Sequence, residues 1–331
     1  MTAATTTPAA AKSGQSAWRR LLRDQPLIPL SFLLGILVLA VWAVSPTARS
    51  EVWVGGILRA SVPLAILAGC QTLTMLTGGI DLSVGYVASM AGFVTATFAN
   101  QPGGWQLGLT IALVAALIIG LVNGISIGVF KVHPLIVTLG MGLVVLGFSN
   151  VWQLRTLQSG AGVPLDIRAL GSGITAQLLP NSLVVFVPLA VILLIGLRRS
   201  GYGRMLYAMG DNPVAARLSG VRSWQVLLVL YTLSSVMAAI AGFIYLGYTN
   251  TVSVTLVAGQ LLPSIAAAVI GGTSILGGRG SFSGTILGTI ILSVLGALLT
   301  ILLLPEPVRQ IVFGSIVVLV AAAYTRATTE S

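Results

Sequence analysis

Long apolar stretches, separated by short polar segments, run through the chain from residue 27 to residue 324. A helix needs about 20 mostly apolar residues to cross a bilayer, whereas a barrel strand alternates polar and apolar residues over about 10 positions. The stretches are continuous and do not alternate, so they predict helices. They lie at about 27–45, 58–77, 82–99, 107–130, 135–153, 181–197, 225–247, 261–276, 282–304 and 308–324. We therefore expect about ten helices, with half-helices as an alternative for the short stretches near 82 and 261.

Composition strengthens this prediction. Of the 331 residues, 56% are hydrophobic and 7% are charged, and the mean hydropathy is +1.01. These values exclude a soluble globular domain and a disordered chain. We expect an all-α polytopic membrane protein.

The basic residues lie between the apolar stretches. The net charge of +10 therefore indicates topology and contact with membrane lipid, and not a nucleic-acid surface. If the N-terminus lies inside, 12 of the 17 Lys and Arg residues fall on the inner side and five on the outer side. This bias predicts that both termini lie inside.

The chain divides into three segments by composition. Residues 1–26 are rich in Ala and Thr and then basic, which is typical of a cytoplasmic tail. Residues 27–324 form the transmembrane domain, and residues 325–331 form a second cytoplasmic tail. Two connections are long: residues 154–180 fall outside, and residues 198–224 fall inside with five arginines and one aspartate.

The segment TGGIDLSVG, residues 77–85, places Asp81 within an apolar region. One interpretation is structural: Asp81 caps a helix that begins near Leu82, which contributes about 0.5–2 kcal/mol. The other is functional, because a carboxylate at membrane depth marks a substrate, ion or proton path. The two interpretations are compatible, and capping is favoured by the preceding glycines and by Ser83.

The segment VIGGTSILGGRG, residues 269–280, contains a similar interruption. Unwound backbone at membrane depth is tolerated only where protein or a water-filled cavity satisfies it. Both interruptions are therefore candidates for lining a pathway. The candidate residues are Gly78, Gly79, Asp81, Ser83, Gly85, Gly271, Gly272, Thr273 and Ser274.

Glycine also recurs every four residues in two apolar stretches. Such a stripe of small residues lets helix backbones approach closely. We therefore expect helix packing at Gly120, Gly124 and Gly128, and at Gly280, Gly284 and Gly288.

The inner connection contains the sequence DNPVAARL at residues 211–218. Asp or Asn caps helices and Pro suits a first turn, so the segment predicts a short capped helix that ends at Gly220. Such a helix is suited to docking into a groove of another protein, or to lying on anionic lipid. The residues concerned are Asp211, Asn212, Pro213, Ala215, Ala216, Arg217, Gly220 and Arg222.

Searches for enzyme sites are negative. The sequence has no HExxH, no CxxC, no paired intramembrane carboxylates and no GxxxxGK[ST] phosphate loop. We expect no catalytic residue, no metal site and no cofactor in this chain.

Four segments together resemble a known family. TGGIDLSVG, NGISIGVFKVHPLIVTLGMG, GRMLYAMGDNPVAARLSGV and IAAAVIGGTSILGGRGSFSGTILG occur in this order. They resemble the permease subunits of bacterial ABC importers for simple sugars, of the ribose, xylose, arabinose and galactofuranose type. The resemblance covers about residues 58–324.

The resemblance implies a fold and several partners. It implies ten helices of the vitamin-B12-importer type in the bacterial inner membrane, and a second permease copy or paralogue. It also implies a periplasmic solute-binding protein and a separate cytoplasmic ATPase, which uses the ATP. The ATPase would dock on the loop at 198–224, so the resemblance favours docking over lipid contact there.

The chain departs from the family pattern at two places. Relatives often carry Glu-Leu-Asp-Ala-Ile-Ala where this chain has residues 259–266, GQLLPSIA, and Arg-Gly near residues 146–150. Both departures bear on the solute more than on the role, and they leave open a polyol, a modified sugar or another small polar molecule beside the simple sugar that the resemblance implies. The alternative function is an ion-coupled secondary transporter that uses Asp81.

Overall fold

The computed structural model of the chain describes residues 27–156, 162–176 and 178–329, and for residue 317 and residues 320–329 it describes the backbone alone. Its helices are α1 (Leu27–Val44), α2 (Glu51–Met75), α3 (Val84–Thr97), α4 (Gly104–Gly128), α5 (Pro134–Thr156), α6 (Leu165–Ser172), α7 (Leu183–Arg199), α8 (Gly201–Asp211), α9 (Pro213–Leu218), α10 (Ser223–Thr249), α11 (Leu261–Ile270), α12 (Phe282–Ile301) and α13 (Glu306–Thr329). Short 3₁₀ turns lie at Pro46–Arg49 and Ala258–Gln260.

Each predicted apolar stretch overlaps one helix of the structure, although several helices begin or end a few residues beyond it. Within the described residues, six helices are long and apolar enough to cross a membrane: α1, α2, α4, α5, α10 and α12. A seventh span results if α7 and α8, which are bent by 65° at Ser200, are taken together. The prediction of an all-α polytopic membrane protein is confirmed.

Two of the helices are too short to cross a bilayer on their own. Helix α3 has 14 residues and α11 has 10, which correspond to about 21 Å and 15 Å at 1.5 Å per residue. The hydrocarbon core is about 30 Å thick. Helix α3 is nonetheless almost completely buried, and α11 is buried from Pro263 to Val269, because longer helices pack against both.

Helices α2 and α10 form the centre of the molecule. Every residue of α2 from Ser61 to Met75 is buried, and α10 packs against α2, α3 and α4. A helix that is apolar on all sides is covered either by other helices or by lipid, and these two helices are covered mainly by other helices. Helices α11 and α12 pack on the other side of α2, and α1 packs against α12.

The connection at 154–180 is more ordered than the sequence predicts. It contains α6 and a two-residue antiparallel pair, Ile174–Thr175 with Leu179–Pro180. Helix α6 packs on the end of α10, where Gly171 and Gly247 leave room for the two backbones to meet. Residues 157–161 and 177 lie outside the described part.

The predicted tails are only partly covered by the structure. Residues 1–26 and 330–331 lie outside the described residues. At the other end, α13 continues to Thr329, past residue 324, where the apolar stretch of the sequence ends.

Candidate functional site

The interruption around Asp81 is a true break between two helices. Helix α2 ends at Met75 and α3 begins at Val84. The backbone turns at Gly78, whose φ of +75° is unfavourable for a residue with a Cβ atom. The predicted start near Leu82 was two residues too early, because Leu82 and Ser83 form a turn before the helix.

The Asp81 carboxylate is buried and accepts three hydrogen bonds. One oxygen accepts from the backbone N–H of Ser83 at 3.0 Å and from its hydroxyl at 2.5 Å. The other oxygen accepts from the Ser234 hydroxyl in α10 at 2.8 Å. Asp81 therefore organises the turn that leads into α3 and ties this turn to the central helix.

The Asp81 carboxylate has no basic partner among the described residues, where Arg309 and Glu306 form the only ion pair. Its neighbours are hydroxyls, amides and the N-terminal end of α3, whose dipole favours a negative charge. Gln71 also fixes the backbone of Asp81, because its side-chain amide donates to the Asp81 carbonyl at 2.8 Å. The environment is that of a carboxylate held in place by donors.

Gly85 was predicted as part of the break, but it lies in the first turn of α3 and is buried. Its position brings α3 close to the chain around Ala258, where a Cβ atom would be 3.5 Å from the Ala258 Cα. Gly85 is therefore a packing position at the start of a helix.

The second interruption connects α11 to α12 through residues 271–281. The N–H of Thr273 donates to Ala268 at 3.0 Å, and the N–H of Ser274 donates to Arg279 at 2.9 Å. The Ser274 hydroxyl accepts from the N–H of Leu276 at 3.2 Å. Gly271 and Gly272 precede these bonds, and the result is a compact turn in which Thr273 and Ser274 are buried.

The first glycine stripe lies directly against α10. A Cβ atom at Gly120 would be 2.5 Å from the Thr232 Cα, and one at Gly124 would be 2.6 Å from the Leu228 Cα. Gly128 meets Trp224 in the same way, at 2.9 Å from its carbonyl oxygen. The contacts on α10 also repeat every four residues, so the two backbones run alongside each other.

The second stripe is shorter than predicted. Gly284 and Gly288 lie on α12 and face the backbone of α11 at Gly271 and Ala267. Gly280 is not part of this helix face, because α12 begins at Phe282 after Ser281 caps it by accepting from the Gly284 N–H. Gly280 instead lies against Thr273 in the connecting turn.

The inner connection folds into α8 and α9, as the sequence predicts for its second half. The Asn212 side chain caps α9 by accepting from the N–H groups of Val214 and Ala215 at 3.1 and 3.0 Å. Gly220 ends it with a φ of +87°, and the N–H of Val221 donates to Ala216, which is a Schellman arrangement.

Most of this short helix is available to a partner. Ala216 is buried, while Val214 and Leu218 are 57% and 86% exposed. These two are four residues apart and share a face. Asp211, Pro213, Ala215, Arg217 and Arg222 are exposed as well.

Helix α8 is held to the membrane helices by two phenols. Tyr202 donates to the Val226 carbonyl of α10 at 2.9 Å, and Tyr207 donates to the Gly280 carbonyl at 2.8 Å. Two side chains therefore tie α8 to α10 and to the turn before α12.

At the other end of the long helices lies a cavity of about 760 Å³. This volume is within the range of small-molecule sites. Its wall is formed by the first half of α2, the end of α10, the start of α11, the last part of α12 and the start of α13. Its polar and aromatic side chains are Trp53, Tyr245, Tyr248, Gln260, Ser293, Thr300, Glu306, Arg309, Gln310 and Phe313.

The polar groups of the cavity are linked. The Gln260 amide donates to the Tyr245 hydroxyl at 3.2 Å, and the rings of Tyr245 and Tyr248 meet edge to face with 5.8 Å between their centres. Arg309 and Glu306 form an ion pair of 3.5 Å. The wall therefore offers hydroxyl, amide and aromatic groups, and its one described acidic side chain is paired with a basic one.

The cavity and the sequence-predicted pathway residues are distinct. None of the nine residues proposed from the two interruptions belongs to the cavity wall, so their role in a pathway stays a prediction. Residues 259–263 do line it, and these begin the segment where the chain departs from the family pattern. Sequence reasoning missed Tyr245 because it lies in an apolar stretch with no motif around it, whereas Gln260 lies in the segment 259–266 that the sequence already linked to the solute.

Comparison with known proteins assigns the chain to a family. Residues 53–321 match the model of a family described as "Branched-chain amino acid transport system / permease component". The chain belongs to this permease family. The match covers the two breaks, the inner connection at 198–224 and the cavity.

The permease is similar to importers with named solutes. It is 35% identical to the fructose import permease protein of Rhizobium meliloti over 72% of this chain and 68% of that one. It is 30% identical to the ribose import permease protein of Bacillus subtilis over 94% and 97%, and 31% identical to an autoinducer 2 import system permease protein of Yersinia enterocolitica over 73% and 66%. No solved structure gives a significant match to the permease.

These relatives confirm the resemblance to ABC importer permeases, since a further one from Sinorhizobium fredii, 34% identical, is named a probable ABC transporter permease. Together with its apolar helices, this makes the permease a multi-pass protein of the inner membrane. Relatives of this kind are named as permease components and not as enzymes.

Proposed function

We propose that this permease forms the membrane path of an ATP-driven ABC importer for a monosaccharide or a similar small polar solute. The observation that carries the proposal is the arrangement of two features at opposite ends of the same helices. A cavity of about 760 Å³ lies at one end, and the capped, exposed helix α9 lies at the other. A solute site and a partner-docking helix at opposite ends are what a driven importer needs.

The proposed arrangement has ten membrane-embedded helices with both termini inside. They are the six long spans, α7 continued by α8, α13, and the short helices α3 and α11. In this topology, which the basic residues favour, α9 faces the cytoplasm and the cavity opens outside. The overall fold is proposed to be of the vitamin-B12-importer type, with a second permease copy or paralogue completing the path.

The solute is proposed to be neutral and rich in hydroxyl groups. The family description names branched-chain amino acids, while relatives are named for fructose and ribose. The cavity favours the second class, because Glu306 and Arg309 are paired with each other. Hydroxyl and amide groups such as those of Tyr245 and Gln260 suit sugar hydroxyls, and aromatic faces suit the apolar faces of a sugar ring.

Three partners follow from this function. A cytoplasmic ATPase hydrolyses ATP and docks on α9, and a periplasmic solute-binding protein delivers the solute. Membrane lipid covers the exposed apolar side chains of α1, α4 and α5. The permease itself is proposed to use no cofactor and to have no enzymatic activity.

The function is tested by reconstitution in liposomes. The permease, the ATPase and the binding protein encoded beside it should take up labelled ribose or fructose only when ATP is supplied on the ATPase side. Uphill uptake by the permease alone, driven by a proton or sodium gradient, would instead support a secondary transporter that uses Asp81.

The docking surface is tested by charge reversal. Replacement of Arg217 or Arg222 with Glu should weaken association with the ATPase, because both residues are exposed beside α9. The variants should insert into the membrane as the wild type does. Normal recovery of the ATPase with both variants would argue against this docking surface.

A further inference from the structure

The end of α8, immediately before α9, lies against both helix breaks. A Cβ atom at Gly210 would overlap the carbonyl oxygen of Leu76 and the backbone nitrogen of Gly278. The Gly278 N–H itself donates to the Leu76 carbonyl at 3.0 Å. Three backbone segments therefore meet here without a side chain between them: the end of α8, the break after α2, and the turn between α11 and α12.

A hydrogen bond adds a second connection between the same parts. Tyr207, one turn before Gly210, donates to the Gly280 carbonyl at 2.8 Å. Tyr202 on the same helix points to a different element, because it donates to Val226 in α10. Helix α8 thus contacts the turn at 271–281 through Tyr207 and Gly210, and α10 through Tyr202.

This geometry is suited to transmitting a displacement. Backbone contacts have no rotamers through which a movement could be absorbed, and packed interiors transmit strain. Short segments between helices are where hinge motions concentrate. Helices α7 and α8 meet at an angle of 65°. A shift of α9 and α8 would nonetheless reach both breaks directly.

We propose that Tyr207 and Gly210 are positioning residues that couple α9 to the two helix breaks. Asp81 lies in the first break, three residues after Gly78. Its carboxylate accepts a hydrogen bond from Ser234 of the central helix α10. ATPase closure on α9 would thereby change the turn that holds α3 against α10. This inference rests on the proposed function, since it requires a partner that moves α9.

The test uses hydrogen exchange on the complex of permease, ATPase and binding protein. Exchange of residues 76–83 and 271–281 is compared before and after the ATPase is trapped with ATP and vanadate. In the wild type, trapping should change the exchange of both segments. A wild-type complex that traps normally without any change there would overturn the inference and leave the proposed function intact.

Two matched variants separate coupling from stability. Tyr207→Phe and Tyr202→Phe each remove one half-buried phenol hydroxyl that donates to a backbone carbonyl, so their effects on Tm should be similar. Only Tyr207→Phe should reduce the trapping-dependent change and the solute moved per ATP, by roughly two- to tenfold, which is what one hydrogen bond is worth in an equilibrium. The ATPase should bind both variants equally.

A second pair of variants tests the close backbone contact at Gly210. Gly210→Ala should uncouple ATP hydrolysis from uptake, whereas Gly201→Ala on the same helix should not, because the atom nearest its added Cβ is the Arg204 side chain at 3.8 Å. If Gly210→Ala does not fold, the comparison of Tyr207→Phe with Tyr202→Phe tests the inference. Equal effects of Tyr207→Phe and Tyr202→Phe would overturn the inference, and a wild type that recruits no ATPase would overturn the proposed function first.

Discussion

At the scale of single residues, Asp81 is explained by its hydrogen bonds. A buried carboxylate is costly unless donors surround it, and Asp81 has three of them from Ser83 and Ser234. These bonds join the turn before α3 to α10. The predicted cap is wrong in its residue, because Ser83 occupies the N-cap position of α3 and no described side chain caps this helix. A role of Asp81 in the solute path stays a prediction.

Replacement of Asp81 by Ala should lower the free energy of unfolding by about 2–4 kcal/mol, because three buried donors lose their acceptor. Asp81→Asn, which keeps one oxygen acceptor, should cost less. The measurement is Tm in detergent, with Asp211→Ala at an exposed position as control. An Asp81→Asn variant with wild-type Tm and abolished gradient-driven uptake would instead support an ion carrier.

At the scale of elements, glycine spacing determines which helices approach most closely. Gly120, Gly124 and Gly128 on α4 face positions of α10 with the same four-residue spacing. The sequence identified this stripe, because a small residue at every fourth position has few other uses in an apolar helix. The sequence could not identify the partner helix, since any neighbour with a smooth face satisfies the same pattern.

Gly124→Ala should destabilise the permease by about 1–3 kcal/mol, because its Cβ would lie 2.6 Å from the Leu228 Cα and force the backbones apart. Gly140→Ala on α5 is the matched control, as no atom lies within 4 Å of its added Cβ. That variant should be neutral or slightly stabilised, since Ala favours a helix. Equal Tm values for the two variants would contradict the packing described for α4.

The exposed face of α9 gives a second prediction at this scale. Leu218→Asp should weaken ATPase binding about tenfold or more, because an apolar anchor would be replaced by a charge at the centre of a small contact. Leu165→Asp is the control, since Leu165 is similarly exposed but lies on α6. Binding by purified ATPase is measured in detergent, and an equal loss for both variants would contradict docking at α9.

At the scale of the whole molecule, the cavity combines α2 with four successive helices that lie much later in the sequence, α10 to α13. Gln260→Ala should lower solute uptake by about three- to tenfold, because a hydrogen-bonding group to the solute and the partner of Tyr245 are both lost. Gln106→Ala is the control at an exposed position of α4. Uptake is measured with the full complex, and unchanged uptake by Gln260→Ala would remove this residue from the solute path.

Local sequence patterns were enough to predict the helices, the short capped helix after Asn212 and the two breaks. Each depends on neighbours within a few residues: apolar continuity, a capping side chain, or glycines beside a polar group. The family could be predicted as well, because four segments of the sequence, in the same order, resemble its members. Local signals also account for the errors, since Gly280 fits the four-residue spacing but Ser281 starts the helix after it.

Which segments meet could be seen only in the folded molecule. The cavity wall, the contact of Gly210 with Leu76 and Gly278, and the bond from Ser234 to Asp81 all join residues that are far apart in the chain. Nearly uniform apolar helices carry little information about their neighbours, because lipid and protein are equally apolar surroundings for Leu or Val. Close backbone approach and a few buried hydrogen bonds select the arrangement, and these exist only once the helices are packed.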